Sequence, residues 1–429
     1  MRRIRVLIGY ILRLFIRILR AVGIIDKSQR KLLLGKVRYF VLGISTAERE
    51  FYIDYVLNNR LDDSQFTPIS DSDYVRKPDD VKLIATYLPQ FHALPMNDEW
   101  YGKGFTEWTN AARAAPQYVG HYQPHIPMDV GFYSLETTGV MKRQIELAKK
   151  YGIYGFCFYY YWFSGEKIME KPIYNFLQDK SLDMPFCLFW ANENWSKQWD
   201  GGDREVLYRQ KLEEGDDEKF MNDILPFMKD DRYIKINNQP VLIIYRSHMF
   251  TKERGEKFIL KTREIAKKNG FDDLYLIDVR YKNAETGHLS FDASMEFYPE
   301  SFKSKQINEI DNRIVNNKFS GKCMNIAEWV DKKYHIYDAD GPLFKGCFTN
   351  WDNTARKCYT GALVYQTSPE IYKTWLRDIV GWTEEKHEND KRFVLINAWN
   401  EWAEGAHLEP DLKYGYAYLQ ATRDVLEGK

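Results

Sequence analysis

Two glutamates three residues apart, Glu401 and Glu404, stand inside the run Asn397-Ala398-Trp399-Asn400-Glu401-Trp402-Ala403-Glu404-Gly405. That spacing can place two carboxyls on one side of a turn, and Gly405 supplies the backbone freedom a tight turn needs. Neighbouring carboxyls divide labour, because the charge on one disfavours ionisation of the other and keeps it protonated. Glycosidic-bond chemistry asks for such a pair, an acid for the leaving oxygen and an ionised partner. The flanking Trp399, Asn400 and Trp402 would desolvate and orient the pair, which sets it apart from a solvated acidic turn.

Other polar and aromatic residues gather just past apolar runs, and these are the candidate sugar-binding residues. They are Gln90, His92 and Trp108; Tyr159, Tyr161 and Trp162; Asn192, Glu193 and Trp195; Arg246; Tyr298; Asn350 and Trp351; and, beside the carboxyls, Asn400 and Trp402. Aromatic faces pack on pyranose C–H faces while amides and phenol tips meet hydroxyls. The chain is rich in them, with 12 Trp, 30 Tyr and 25 Phe, although a bulky core would use the same residues. No metal or cofactor is expected. Pro124 between His121 and His125 spoils a helical metal pair, so these read as loop histidines. Asp338-Ala339-Asp340 matches the DxD of metal-holding nucleotide-sugar transferases, but Asp71-Ser72-Asp73 matches it equally well in a linker-like stretch.

These residues need a frame. Eight short, nearly continuous apolar runs fit buried parallel strands: Lys82–Leu88, Gly155–Tyr161, Pro185–Ala191, Pro240–Arg246, Leu274–Val279, Ser294–Tyr298, Phe344–Asn350 and Phe393–Ala398. Helical patterns lie between them, as in Thr138–Tyr151 and Lys252–Asn269. Eight alternations over about 350 residues predict an α/β fold, a (β/α)₈ TIM-like barrel, whose chemistry sits past the C-terminal strand ends. A doubly wound sheet fits less well, since no Gly-rich phosphate turn follows the first strand.

The 429 residues balance 61 basic against 61 acidic side chains, which argues against a nucleic-acid binder. The charge is unevenly spread: residues 1–38 hold eleven Arg or Lys against one acid, Asp26. Residues 1–25 read as a basic amphipathic helix. Arg13, Arg17 and Arg20 form one stripe, and Ile4, Leu7, Ile8, Ile11, Leu12, Phe15, Ile18 and Leu19 fill the other side. Such a helix lies in a membrane interface without spanning it, so residues 1–22 are expected to meet an anionic membrane surface. Residues 26–80 read as a connecting region and 81–425 as the catalytic domain. Five scattered cysteines without a CxxC suggest neither a zinc knuckle nor a disulfide framework and favour a cytoplasmic setting, peripheral to the inner face of the membrane.

Five motifs in order, Thr86–His92 (TYLPQFH), Asn97–Asn110 (NDEWYGKGFTEWTN), Tyr154–Phe163 (YGFCFYYYWF), Ala191–Trp195 (ANENW) and Asn397–Pro410 (NAWNEWAEGAHLEP), resemble the WbsX-type proteins of bacterial surface-polysaccharide clusters. Those proteins are similar in turn to glycoside hydrolase family 99, the endo-α-1,2-mannosidases. The resemblance covers roughly residues 80–425 and implies a (β/α)₈ domain with a retaining mechanism that uses the sugar's own 2-hydroxyl. It implies that Glu401 deprotonates that hydroxyl and that Glu404 protonates the leaving oxygen, then activates the acceptor. Ala403, Ala406 and His407 depart from the His, Thr and Gln of the hydrolases. The expected activity is glycosyl transfer or transglycosylation in surface-polysaccharide (O-antigen or capsule) biosynthesis, on a glycan or lipid-linked oligosaccharide. An α-glycan hydrolase and a catalytically silent glycan-binding barrel are the alternatives.

Overall fold

The computed structural model describes residues 2–42, 50, 65–197, 202–281, 289–302, 308–309, 316, 318–359 and 363–429. It divides into two compact units, residues 1–64 and 65–429. Part of the expected connecting region, 43–49 and 51–64, lies outside the described residues. Its remainder from Gln65 groups with the barrel: Ser70 N–H donates to the Tyr151 hydroxyl (2.8 Å), and Arg423 reaches Ser70 Oγ (3.0 Å).

In the first unit, helices α1 (Arg2–Ala21) and α2 (Lys27–Leu42) pack together. Asp26 and Gln29 cap α2 reciprocally, with Gln29 N–H donating to Asp26 (2.7 Å) and Asp26 N–H to Gln29 (2.9 Å). Gly9 and Ile16 are buried, and a side chain at position 9 would collide with Val41. The broad apolar side stays open: Ile4, Leu7, Ile11, Phe15 and Ile18 are each more than half exposed. No described helix is long and apolar enough to cross a membrane.

In the second unit the eight strands are β1 (Lys82–Tyr87), β2 (Ile153–Phe163), β3 (Phe186–Trp190), β4 (Gln239–Ile244), β5 (Tyr275–Arg280), β6 (Ala293–Glu296), β7 (Leu343–Phe344 and Gly346–Phe348) and β8 (Phe393–Asn397). Neighbours pair in parallel from β6 back through β5, β4, β3, β2 and β1 to β8. The first segment of β7 then pairs with β6 and the second with β8, giving a nearly closed TIM-like barrel. The expected unbroken seventh strand is therefore split at Lys345. Its ammonium meets Glu296 Oε1 (3.1 Å) and the His335 carbonyl (2.8 Å), all within the fully buried interior. Gly346 follows because the chain runs so close to the Glu296 carbonyl that any Cβ would overlap it.

Helices α3 (Gly139–Lys150), α4 (Lys171–Gln178), α5 (Asp216–Met228) and α6 (Lys252–Lys268) follow β1 to β4, and α7 (Pro369–Lys386) and α8 (Ala417–Leu426) follow β7 and β8. Alternation along β2 divides its side chains between two faces. Phe158, Tyr160 and Trp162 turn outward onto Phe176, Phe220 and Phe227 of the helices. Cys157, Tyr159 and Tyr161 take the other face, where Tyr159 meets Phe189 and Trp195 lies edge-on to Tyr161.

Candidate active site

Past the C-terminal end of β8, the pairs Asn400–Glu401 and Ala406–His407 form a small antiparallel ladder around the turn Trp402–Glu404. Gly405 closes it at φ +62°, and a Cβ there would press within 3.4 Å of Asn350, Asp352 and His125. Two buried clamps hold the turn. Asn400 accepts from Leu88 N–H (2.7 Å) and donates to the Leu88 carbonyl (3.0 Å), tying β8 to the end of β1. Glu409 accepts from Gln144 (2.6 Å), Trp402 Nε1 (2.7 Å), Tyr133 OH (2.9 Å) and Trp399 Nε1 (3.1 Å). Burial still pushes the Glu409 carboxyl up to about 7, against the pull of those donors.

The two glutamates converge on Arg356, in the short helix Thr354–Lys357. Its guanidinium donates to Glu401 Oε2 (3.1 Å), to Glu404 Oε1, and to Glu107 Oε2 from Nη2 (2.8 Å) and Nε (3.1 Å). Three carboxyls thus share one cation. Burial raises the Glu401 carboxyl, Arg356 opposes that rise and Glu107 adds to it, leaving it at about 7. Burial holds Glu404 well above the ordinary carboxylic range, with Arg356 again opposing and Glu401 and Glu107 adding. Asp352 anchors this helix by accepting from Thr354 N–H (2.9 Å) and pairing with His121 (2.6 Å). Burial would raise its carboxyl, but His121, Thr354 and Gln123 keep it at about 2.

These groups open into a cleft of about 220 Å³ with an open mouth. Of the residues singled out in the sequence, Tyr159, Tyr161, Glu193, Trp195, Arg246, Trp351, Glu401 and Glu404 line it. Arg246 forms an ion pair with Glu193 (2.7 Å) and lies over the rings of Tyr245 and Tyr281. Burial raises the Glu193 carboxyl, against Arg246.

The others do not line the cleft. Trp108 is packed against Phe91, Tyr133 and Trp402 and donates to the Tyr133 carbonyl (2.7 Å). Trp162 faces the helices and donates to Asp223 (2.8 Å). Tyr298 sits among Phe302, Trp329 and Trp375, and Trp402 stacks on His407. Asn192 bridges the Arg246 backbone, accepting at 2.7 Å and donating at 3.1 Å, and Asn350 and Asn400 support turns. His92 is buried against the Pro89 carbonyl (2.9 Å). Gln90 is fully buried, and its amide has no hydrogen-bond partner among the described residues. The exposed Asp338 pairs with Lys386 (3.3 Å), so the DxD is away from the cleft. Sequence reasoning missed Arg356, Glu107, Tyr245, Asn353 and Glu300. Glu107 lies inside a motif already noted, Asn97–Asn110, whereas nothing local marks Arg356.

Residues 83–422 match the glycosyltransferase WbsX family along most of the chain. The chain belongs to that family. Two WxcX proteins, uncharacterized, from strains of Xanthomonas campestris pv. campestris are 39% identical over 345 residues, 80% of this chain. The match spans 49% of those relatives, so the chain covers about half their length. Among solved structures, a glycoside hydrolase-like protein aligns at TM-score 0.50 and 12% identity, covering 85% of this chain and 98% of the other. The family 99 endo-α-mannosidase of Bacteroides thetaiotaomicron aligns at TM-score 0.50 and 14% identity, covering 81% and 96%. At those identities the likeness is one of fold. In this WbsX chain one group of metal-ligating side chains comes together among the described residues: His125, His407 and Asp411. It lies outside the cleft, in a separate cavity that Gly405 also lines. Burial lowers both imidazoles, His407 to about 4.

Proposed function

We propose that this WbsX-family chain transfers glycosyl groups by a retaining, two-carboxyl mechanism in bacterial surface-polysaccharide assembly. The observation that carries the reading is the buried Glu401–Glu404 pair on one guanidinium, facing an aromatic cleft. Glu401, at about 7, is ionised in part near neutrality and takes the proton of the donor sugar's 2-hydroxyl. That oxygen attacks the anomeric carbon, and the leaving oxygen takes the proton that Glu404 holds. The resulting carboxylate of Glu404 then accepts the proton of the acceptor hydroxyl, which opens the 1,2-anhydro ring with return of the first proton to O2. Tyr159, Tyr161, Trp195 and Trp351 supply the faces on which the rings pack.

The test uses α-glycosyl fluorides as activated donors, with the anomeric configuration of the first product read by NMR. Retention is expected, with no turnover of a 2-deoxy donor and none in Glu401→Gln or Glu404→Gln at preserved melting temperature. Full activity in either variant, or on the 2-deoxy donor, overturns the mechanism. Release of the sugar to water in preference to any acceptor favours the hydrolytic reading, which the fold shared with the endo-α-mannosidase supports. Residues 1–22 hold the enzyme at an anionic membrane surface, where lipid-linked glycans reside. Support comes from the exposed apolar side of α1 and the six arginines of that stretch.

A further inference from the structure

We infer that His125, His407 and Asp411 form a buried zinc site that staples the 121–125 loop to the segment leaving the catalytic turn. The three side chains are 3%, 3% and 2% exposed and line one polar cavity. His125 Nδ1 stands 2.8 Å from His407 Nε2, which is 3.7 Å from Asp411 Oδ2. Ligand atoms about 2.0–2.1 Å from a tetrahedral zinc are separated by about 3.3 Å, so small rotations of the rings admit the ion.

Each ligand is already oriented by something else, as metal ligands are. His407 Nδ1 donates to the Glu409 carbonyl (2.9 Å), which leaves Nε2 as the free lone pair, and its ring stacks on Trp402. Asp411 Oδ1 accepts from the backbone N–H groups of Lys413 (2.9 Å) and Tyr414 (2.6 Å), which turns Oδ2 toward the histidines. The His125 ring stacks on Tyr122.

Hydrogen bonding alone satisfies this cluster incompletely. His125 Nε2 is buried without a partner among the described residues whether Nδ1 donates to His407 or holds an ion, so it is the converging ligand atoms that point to zinc. Thr349 Oγ1, in the same cavity, is unpartnered among the described residues as well. Two imidazoles and one carboxylate suit zinc rather than magnesium, which prefers all-oxygen shells. The site is structural: His407 is three residues past Glu404, and His125 abuts Gly405.

The test is metal analysis of the full chain, purified without chelator and then equilibrated with zinc chloride and dialysed. One equivalent of zinc is expected, with a melting temperature that falls on EDTA treatment and returns with zinc but not with magnesium. His407→Gln can still accept a hydrogen bond from His125 through its amide oxygen, yet should lose the zinc. Cobalt substitution of the wild-type chain should give the visible ligand-field bands of a low-coordinate site, an observation that needs no variant to fold. Absence of zinc and of those bands overturns the proposal. So does zinc retained undiminished by a folded His407→Gln, or a melting temperature indifferent to chelator.

Discussion

Replacing Arg356 by Gln removes the cation that three carboxyls share while keeping a polar group of moderate size. A guanidinium and a carboxylate about 4 Å apart interact by ~4 kcal/mol at an effective dielectric near 20. Since 1.36 kcal/mol is a tenfold change in proton affinity, loss of Arg356 raises that of Glu401 by as much as three powers of ten. Relaxation and entering water trim this to one to three. Glu401 starts at about 7, so near neutrality roughly half of it is ionised. In the variant the ionised fraction falls roughly 5- to 500-fold, and turnover at pH 7 falls with it. The ascending limb of the rate profile moves to higher pH.

Stability changes in the same direction. A carboxyl whose folded-state pKa is raised binds protons more tightly folded than unfolded, so its contribution declines as pH climbs from about 4.5 through the folded value. Arg356→Gln should therefore cost most at high pH, on the order of 3–5 kcal/mol for a broken buried pair, and less at pH 5.5 where Glu401 and Glu404 hold their protons. The assays are a pH–rate profile on an activated donor and melting curves at pH 5.5 and 8.5. A profile superimposable on wild type, with a loss of stability independent of pH, would show that Arg356 does not govern these protons.

Glu409→Gln should lower stability by ~2–3 kcal/mol, read by thermal melting, because an amide cannot accept from all four donors and places its own N–H groups among them. Lys345→Met should cost about 3–5 kcal/mol by leaving Glu296 buried and unpaired, and adding Glu296→Gln should recover part of it; additive losses would contradict the pairing. Tyr161→Ala and Trp195→Ala should weaken glycan binding by roughly tenfold in calorimetry with unchanged circular dichroism, whereas Trp162→Ala should act on the melting temperature instead. Deletion of residues 1–22 should abolish sedimentation with anionic vesicles, and high salt should release part of the intact chain; a salt-indifferent, vesicle-free wild type would remove the membrane role.

The barrel was legible because parallel strands buried on both faces are continuous apolar runs, and all eight runs overlap a strand. Strand limits were blurred where aromatic residues continue past the last ladder bond, as at Phe297 and Tyr298 after β6. Lys345 broke the seventh run for a reason no window of hydrophobicity contains: its partner, Glu296, is 49 residues away. At the site, richness in Trp and Tyr marked loops that reach the cleft without separating the side chains that line it from those that do not. Alternation along β2 separates Tyr159 and Tyr161 from Trp162, and applying that parity to the sequence would have excluded the tryptophan. Arg356 escaped because its meaning comes from Glu107, 249 residues upstream, and from Glu401 and Glu404. The His125–His407 contact spans 282 residues and follows no ligand-spacing pattern.

The split seventh strand gives the barrel a clasp. Every other junction between neighbouring strands is a ladder formed by one unbroken strand, but here two residues grip one side and three the other. Opening of the ring would begin at this join, with amide hydrogens of Leu343 and Phe344 exchanging ahead of those in β1 and β8. Trp351, Asn353 and Arg356 follow on the same stretch of chain, so a loosened clasp would pass its slack to the guanidinium that holds Glu401 and Glu404. The buried Lys345–Glu296 bond, spanning the join, then acts as the catch that keeps hinge play out of the chemistry.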